Sequence, residues 1–125
     1  MAEITTYVAG ALAELASGST WLWILIGTFM GIIVGAIPGF TSSMATGILL
    51  PVTFALSPVN ALVFLISVYI ATIYGGSITA ILLNTPGAPE SSASTFDGYK
   101  MTLKGQGCEA LGIAFCSSAC GGLIS

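Results

Sequence analysis

Trp21-Leu-Trp-Ile-Leu-Ile-Gly27-Thr-Phe-Met-Gly31-Ile-Ile-Val-Gly35-Ala-Ile-Pro38-Gly39-Phe-Thr41-Ser42-Ser43 is the stretch on which the fold turns. Nine of its first seventeen residues are Leu, Ile, Phe or Val, and none is charged. On an insertion scale such a segment gains roughly −3 to −5 kcal/mol before glycine and polar corrections, enough for one membrane crossing. Its apolar run then stops at Pro38-Gly39 and gives way to three hydroxyls in four residues. A proline that opens a new first turn loses nothing by its missing N–H, so this point predicts the end of one half-helix and the start of another.

Outward from there, Asp, Glu, Lys and Arg are absent from residues 15–89, a run of 75. As continuous helix that run would be roughly 110 Å long, several times the hydrocarbon thickness of a bilayer. Over all 125 residues only 6% are charged and 55% are hydrophobic. A soluble surface needs roughly a quarter to a third of its positions charged. The expectation is an all-α, polytopic integral membrane protein with discontinuous or re-entrant helices. A nucleic-acid partner is excluded, because two lysines cannot replace phosphate counterions. With no histidine anywhere and no carboxylate inside the apolar segments, there is no general base for an enzyme, and no metal site is expected. Cys108, Cys116 and Cys120 read as small apolar helix residues.

The remaining segments follow from composition. Residues 1–19 place Ile4, Tyr7, Val8, Leu12 and Leu15 near one helical face and read as an amphipathic helix at the interface. The membrane domain, 20–125, divides into a span at about 21–37, a short or re-entrant segment at 40–56 broken by Pro51, and a span at 59–83. A polar loop at 84–107 and an apolar segment at 110–125 follow, the last too short to cross. On this reading the chain is an N-terminal fragment of a larger membrane protein. Both lysines fall in the polar loop, which points it to the cytoplasm.

Three groups of residues are candidates for a role. Gly27, Gly31 and Gly35 recur every four positions, with Gly39, Ser43 and Gly47 in the same register. On a helix they form a groove for close packing of a neighbour. Pro38, Gly39, Thr41, Ser42 and Ser43 form the candidate substrate site, where free N–H groups of a helix end and hydroxyls hold an anion without a cationic side chain. Gly75, Gly76 and Ser77, expected to unwind the long span, and Asn84, Thr85, Pro86 and Gly87 at its end form the candidate ion site, offering oxygens suited to a hard cation. A kink followed by an ordinary exit turn is the alternative for this stretch. Pro38-Gly39 followed by Ser42-Ser43 also recurs 48 residues later as Pro86-Gly87 followed by Ser91-Ser92.

The blocks Gly31-Ile-Ile-Val-Gly35-Ala-Ile-Pro38-Gly39-Phe-Thr41, Leu50-Pro51, Tyr74-Gly75-Gly76-Ser77 through Asn84-Thr85-Pro86-Gly87, and Asp97-Gly98-Tyr99 together resemble the large membrane subunit of bacterial tripartite tricarboxylate transporters, the TctA family. The resemblance runs from about Trp21 to Ile124. It implies a multi-pass permease subunit of the bacterial inner membrane that takes up citrate-like tricarboxylates or related carboxylates. Uptake would be driven by an ion gradient, with Na⁺ or H⁺ as coupling ion and no other cofactor. The implied partners are a small TctB-like membrane subunit and a periplasmic TctC-like solute-binding protein. Phe40 departs from the smaller aliphatic residue expected there and bears on substrate size. The rival expectation is a structural or assembly subunit without a substrate site of its own.

Overall fold

The computed structural model describes residues 1–125 as six α-helices joined by short turns, without strands. They are α1 (Ala2–Leu15), α2 (Gly18–Gly35), α3 (Ser42–Thr53), α4 (Pro58–Leu83), α5 (Ala93–Leu103) and α6 (Gly107–Ile124), with one 3-10 turn at Pro89–Ser92. α2, α4 and α6 are each long and apolar enough to cross a membrane. Only 20 of the 125 residues are buried, and Leu22, Leu25, Phe29, Ile33, Leu62, Ile66 and Ile70 all point outward. A water-soluble chain would bury such residues, so lipid is the solvent for these faces. The protein is an all-helical, polytopic membrane protein.

The centre of the structure is the α2–α4 pair, its most extensive interface. Gly27, Gly31 and Gly35 are buried along α2. A Cβ at Gly27 would lie 2.9 Å from the Phe64 carbonyl oxygen, and one at Gly31 would lie 2.7 Å from that of Val68. A Cβ at Gly35 would collide with the backbone of Thr72. The three glycines thus let the two backbones touch, where packing rather than hydrophobic transfer holds helices together. Gly75 answers from α4, with its missing Cβ 2.6 Å from the Ile32 carbonyl oxygen. At the far end of the pair the Thr20 hydroxyl donates to the Glu14 carbonyl (2.6 Å) and lies 2.8 Å from Asn60 Oδ1, tying the ends of α1, α2 and α4.

α3 packs on the first half of α4 through Ala45 and Leu49, which join Phe64 and Val68 in one apolar cluster. Trp23 closes it, edge-on to Phe64 at 5.9 Å. With 12 residues α3 is roughly 18 Å long, well short of a crossing. Pro51 does not break it; the helix runs on to Thr53, and Pro51 falls in the last turn.

Four other expectations are corrected. α4 is continuous helix from Pro58 to Leu83, so Gly75-Gly76-Ser77 does not unwind the span. Glycine there serves close approach rather than a break, with Gly75 against α2 and Gly76 against Ala88 and Ser91. The 84–107 segment is not a loop throughout: α5 occupies Ala93–Leu103, held to α4 by the Thr102 hydroxyl on the Ile81 carbonyl (2.8 Å) and by Gly98 lying against Ile81. The last helix begins at Gly107, which lengthens it to 18 residues, or roughly 27 Å. Finally, Ser43 and Gly47 do not extend the ladder of α2, because they belong to α3 and Gly47 faces open space.

Candidate functional site

α2 ends at Gly35, and the chain does not resume helix until Ser42. Across the gap the backbone turns tightly, with Ile37 N–H on Val34 O (3.1 Å) and Phe40 N–H on Ile37 O (3.2 Å). Gly39 adopts φ +85, a left-handed conformation that an L side chain resists. Pro38 sits inside this turn rather than at the first position of α3. The cap is Thr41, whose hydroxyl accepts from the Met44 N–H at 3.3 Å. Ala45 N–H to Thr41 O (3.0 Å) is the bond that opens α3, which leaves the first-turn N–H groups of Ser42 and Ser43 ahead of it.

The five expected substrate residues therefore divide. Pro38, Gly39 and Ser43 are exposed, and Thr41 is half-buried. Ser42 is buried on the face of α3 that also carries Ala45 and Leu49. Its carbonyl accepts from the Thr46 hydroxyl at 2.7 Å.

The second half of the site is the exit from α4. Asn84 caps that helix at φ 57, the one non-glycine residue with a positive φ. Asparagine tolerates this region better than most residues, and the conformation turns the chain sharply back. Thr85 stays exposed, its hydroxyl donating to Leu83 O at 3.0 Å. Gly87 and Ala88 then tuck beneath the end of α2 and are buried. A Cβ at Gly87 would lie 2.7 Å from the Gly35 carbonyl oxygen, 2.9 Å from Gly76 Cα and 3.7 Å from the Ile37 carbonyl oxygen. Ser91 locks the arrangement from below. Its buried hydroxyl lies 3.3 Å from that of Ser77 and 3.2 Å from the Ile73 carbonyl.

Gly87 of the second Pro-Gly block thus meets the end of α2 immediately before the first. Gly75, Gly76, Gly87, Gly35 and Ile37 gather there, with the carbonyl-rich end of α2 on one side and the N-terminus of α3 downstream of the same turn. A helix C-terminus carries partial negative charge and a helix N-terminus partial positive charge. The arrangement therefore offers opposite ends of two helices within one broken segment, chemistry suited to an anion and a cation held close together. Asn84 opens on a groove of about 490 Å³ with Pro86, Thr95, Phe96, Tyr99 and Lys100.

Asn60 escaped sequence reading, and Ser91 was noted only as part of a repeated pattern, without a role. Asn60 is a single polar residue among apolar neighbours, Ser91 lies beside Glu90 and Ser92, and only tertiary contact distinguishes either from a surface residue. The repeated Pro-Gly-hydroxyl pattern was the available signal for Ser91.

A family model described as the tripartite tricarboxylate transporter TctA family matches residues 21–125. An uncharacterised 52.8 kDa protein from Agrobacterium vitis, described by its position in the TAR-I ttuC′ 3′ region, is 39% identical over 104 residues. The match takes in 83% of this chain and 21% of that relative, so the chain spans about a fifth of the relative's length. No solved structure matches the chain.

Proposed function

The chain belongs to the tripartite tricarboxylate transporter TctA family, a transporter family rather than an enzyme family, and from that premise we propose that it forms part of a membrane permease for carboxylates. The permease takes up citrate-like tricarboxylates or related carboxylates, driven by an ion gradient, Na⁺ or H⁺. It works in the bacterial inner membrane with a small TctB-like membrane subunit and a periplasmic TctC-like binding protein that delivers the substrate. α1 lies along the membrane surface with Ile4, Tyr7 and Leu12 toward the acyl chains. The 84–107 segment faces the cytoplasm.

The observation that carries this reading is the break between Gly35 and Ser42, seated against Gly87. Broken helices paired within a membrane domain are where carriers place substrate and ion. No basic residue lies between positions 15 and 89. Within this chain the anion is therefore held by the first-turn N–H groups of α3 and by the hydroxyls of Thr41 and Ser43. The coupling ion is held by carbonyl oxygens near Gly35, Ile37 and Gly87, with Asn84 and Thr85 beside them. Since α4 does not unwind, the carbonyls of Gly75 and Gly76 contribute less than sequence spacing implies, and Ser77 acts through Ser91.

The test is uptake of labelled citrate by the full-length protein with its two partners, normalised to membrane abundance. Asn84→Gly removes the side-chain amide and keeps the left-handed conformation, and Ser43→Ala removes one hydroxyl. The expected result is reduced uptake at normal abundance for both. Full uptake by both variants would favour a structural subunit, whose glycines pack helices and whose hydroxyls are dispensable.

A further inference from the structure

α4 has 26 residues and is roughly 39 Å long, more than the hydrocarbon core it crosses. The chain leaving it does not move away. Past Asn84 it runs back down the helix, so that the missing Cβ of Gly76 lies 3.2 Å from the Ala88 nitrogen and the Ser91 hydroxyl donates to the Ile73 carbonyl at 3.2 Å. Ile73 lies roughly 15 Å before the end of α4 at Leu83. α5 then climbs again, bringing Gly98 and Thr102 to Ile81. α2 reaches only the depth at which this descent ends, since Gly35 lies against Thr72, and Gly75 against Ile32 and Ala36. Beyond that depth α4 continues without α2 beside it. Residues 85–91 take the vacant flank as a strap, with Gly87 on the Gly35 carbonyl at the start of the broken segment.

We propose that this strap is a gate closing the broken-helix site on the side where α4 ends, and that the Ser91 hydroxyl is its latch. The inference rests on the permease reading and deepens it by naming the element whose movement opens the site. Three features carry it. The strap has few polar ties to α4: Thr85 N–H reaches Thr79 O at 3.5 Å, and Ser91 supplies the others, to the Ile73 carbonyl and, at 3.3 Å, to the Ser77 hydroxyl. Its remaining contact is through Gly87 and Ala88, which carry no side chain long enough to anchor it. Pro86 and Pro89 restrict the backbone on either side of those two residues, so the strap moves as one piece about the left-handed turn at Asn84. Ser91 is 1% exposed, and its bonds are neutral ones. Such bonds hold in a dry site and are replaced by water at small net cost once the site is wet. A ligand that binds the open state better can therefore release the latch. Ser91 touches neither substrate nor ion on this reading and is a positioning residue.

The experiment is N-ethylmaleimide labelling of Ala88→Cys in cells that make the full-length protein, its native cysteines replaced by alanine, together with its two partners. Ala88 is 2% exposed, so labelling at rest should be slow. During citrate uptake it should quicken by at least about fivefold, because each cycle lifts the strap. A strap that serves packing alone would label at one slow rate with or without citrate. Adding Ser91→Ala should raise the resting rate about three- to tenfold, the loss of one neutral hydrogen bond. Gly76→Ala should raise it by a different route, since its methyl group would press on the Ser91 hydroxyl at 3.0 Å and the Ala88 nitrogen at 3.2 Å, and it keeps the inference testable should Ser91→Ala fold poorly. Ser92→Ala, in the same 3-10 turn, should label as the parent does. Labelling that citrate uptake does not change, or the parent's resting rate in both Ser91→Ala and Gly76→Ala, would overturn the gate. Uptake of labelled citrate in the same cells separates the two readings. Uptake without any change in labelling removes the gate and leaves the permease, whereas absent uptake with quickened labelling in the latch variants removes the permease and leaves the latch.

Discussion

Gly35 and Gly39 are four residues apart in one unbroken period of small residues, yet the structure uses them in opposite ways. Gly35 is pressed against the Thr72 backbone, whereas Gly39 has no atom within 4 Å of its missing Cβ and is needed for its positive φ. The same contrast holds on either side of the pair. Gly27 and Gly31 are packed into α4, and Gly47 faces open space. A four-residue period builds a groove only while the helix continues, and Pro38 ends that condition. Gly35, before the proline, is held to glycine by what it touches; Gly39, just after it, by the conformation the chain must take. In lipid this distinction is sharp, because close backbone approach is a main source of helix association and a broken helix end must find some other polar partner.

The largest expected effect breaks the packed half of that contrast. Gly35→Leu would force a side chain into the Thr72 backbone and should destabilise the α2–α4 pair by at least about 3 kcal/mol. Membrane abundance and thermal inactivation in detergent would both register it. An abundance equal to wild type would mean that α2 and α4 do not touch at this level. Gly87→Ala should come next, at about 1–3 kcal/mol, since its methyl group meets the Gly35 carbonyl oxygen and Gly76 Cα, both backbone atoms that cannot swing aside. The same two measurements apply. Stability unchanged in Gly87→Ala would separate Gly87 from the end of α2 and divide the candidate site.

How much of this was legible in sequence differs between the same two regions. The packed half could be read directly, because Gly27, Gly31 and Gly35 repeat at helical spacing within a charge-free run, and that pattern has one physical use. The break at Pro38-Gly39 was legible too, although its cap was not: proline suggested a helix start, and the structure assigns that role to Thr41. Gly75-Gly76-Ser77 misled because glycine pairs weaken an isolated helix, while here both residues are buried against neighbours that hold the helix straight. α5 was missed for a related reason. Asp97, Gly98 and three hydroxyl residues lower its intrinsic helicity, and its stability comes from lying on α4 through Gly98 and Thr102. A link between the two Pro-Gly stretches could be suspected from their repetition, but the contact of Gly35 with Gly87 depends on α2 and α4 being parallel neighbours, with Gly27, Gly31 and Gly35 meeting Phe64, Val68 and Thr72 in turn, which no local pattern states.

Smaller effects probe the open half. Gly39→Ala meets no steric obstacle and pays only for a left-handed backbone, about 1–2 kcal/mol. Thr41→Ala removes the cap on α3 at a similar cost of about 1 kcal/mol, and Thr41→Ser should restore most of it. Both are measured as shifts in thermal inactivation, and both should lower citrate uptake more than abundance, because they disturb the end of a short helix rather than the interface that holds the domain.

Gly47→Ala is the smallest and sharpens the contrast most. Gly47 shares the period of Gly35, so a pattern argument alone gives the two substitutions the same outcome. The structure separates them: Gly47 lies within α3, and a methyl group there meets nothing. Alanine is the better helix former, so stability should hold or rise by up to about 1 kcal/mol, with abundance unchanged. A loss comparable to that of Gly35→Leu would show another helix seated on this face of α3. In that case the period of four would mark a packing groove on both sides of Pro38, and the division drawn between touching and turning glycines would fail.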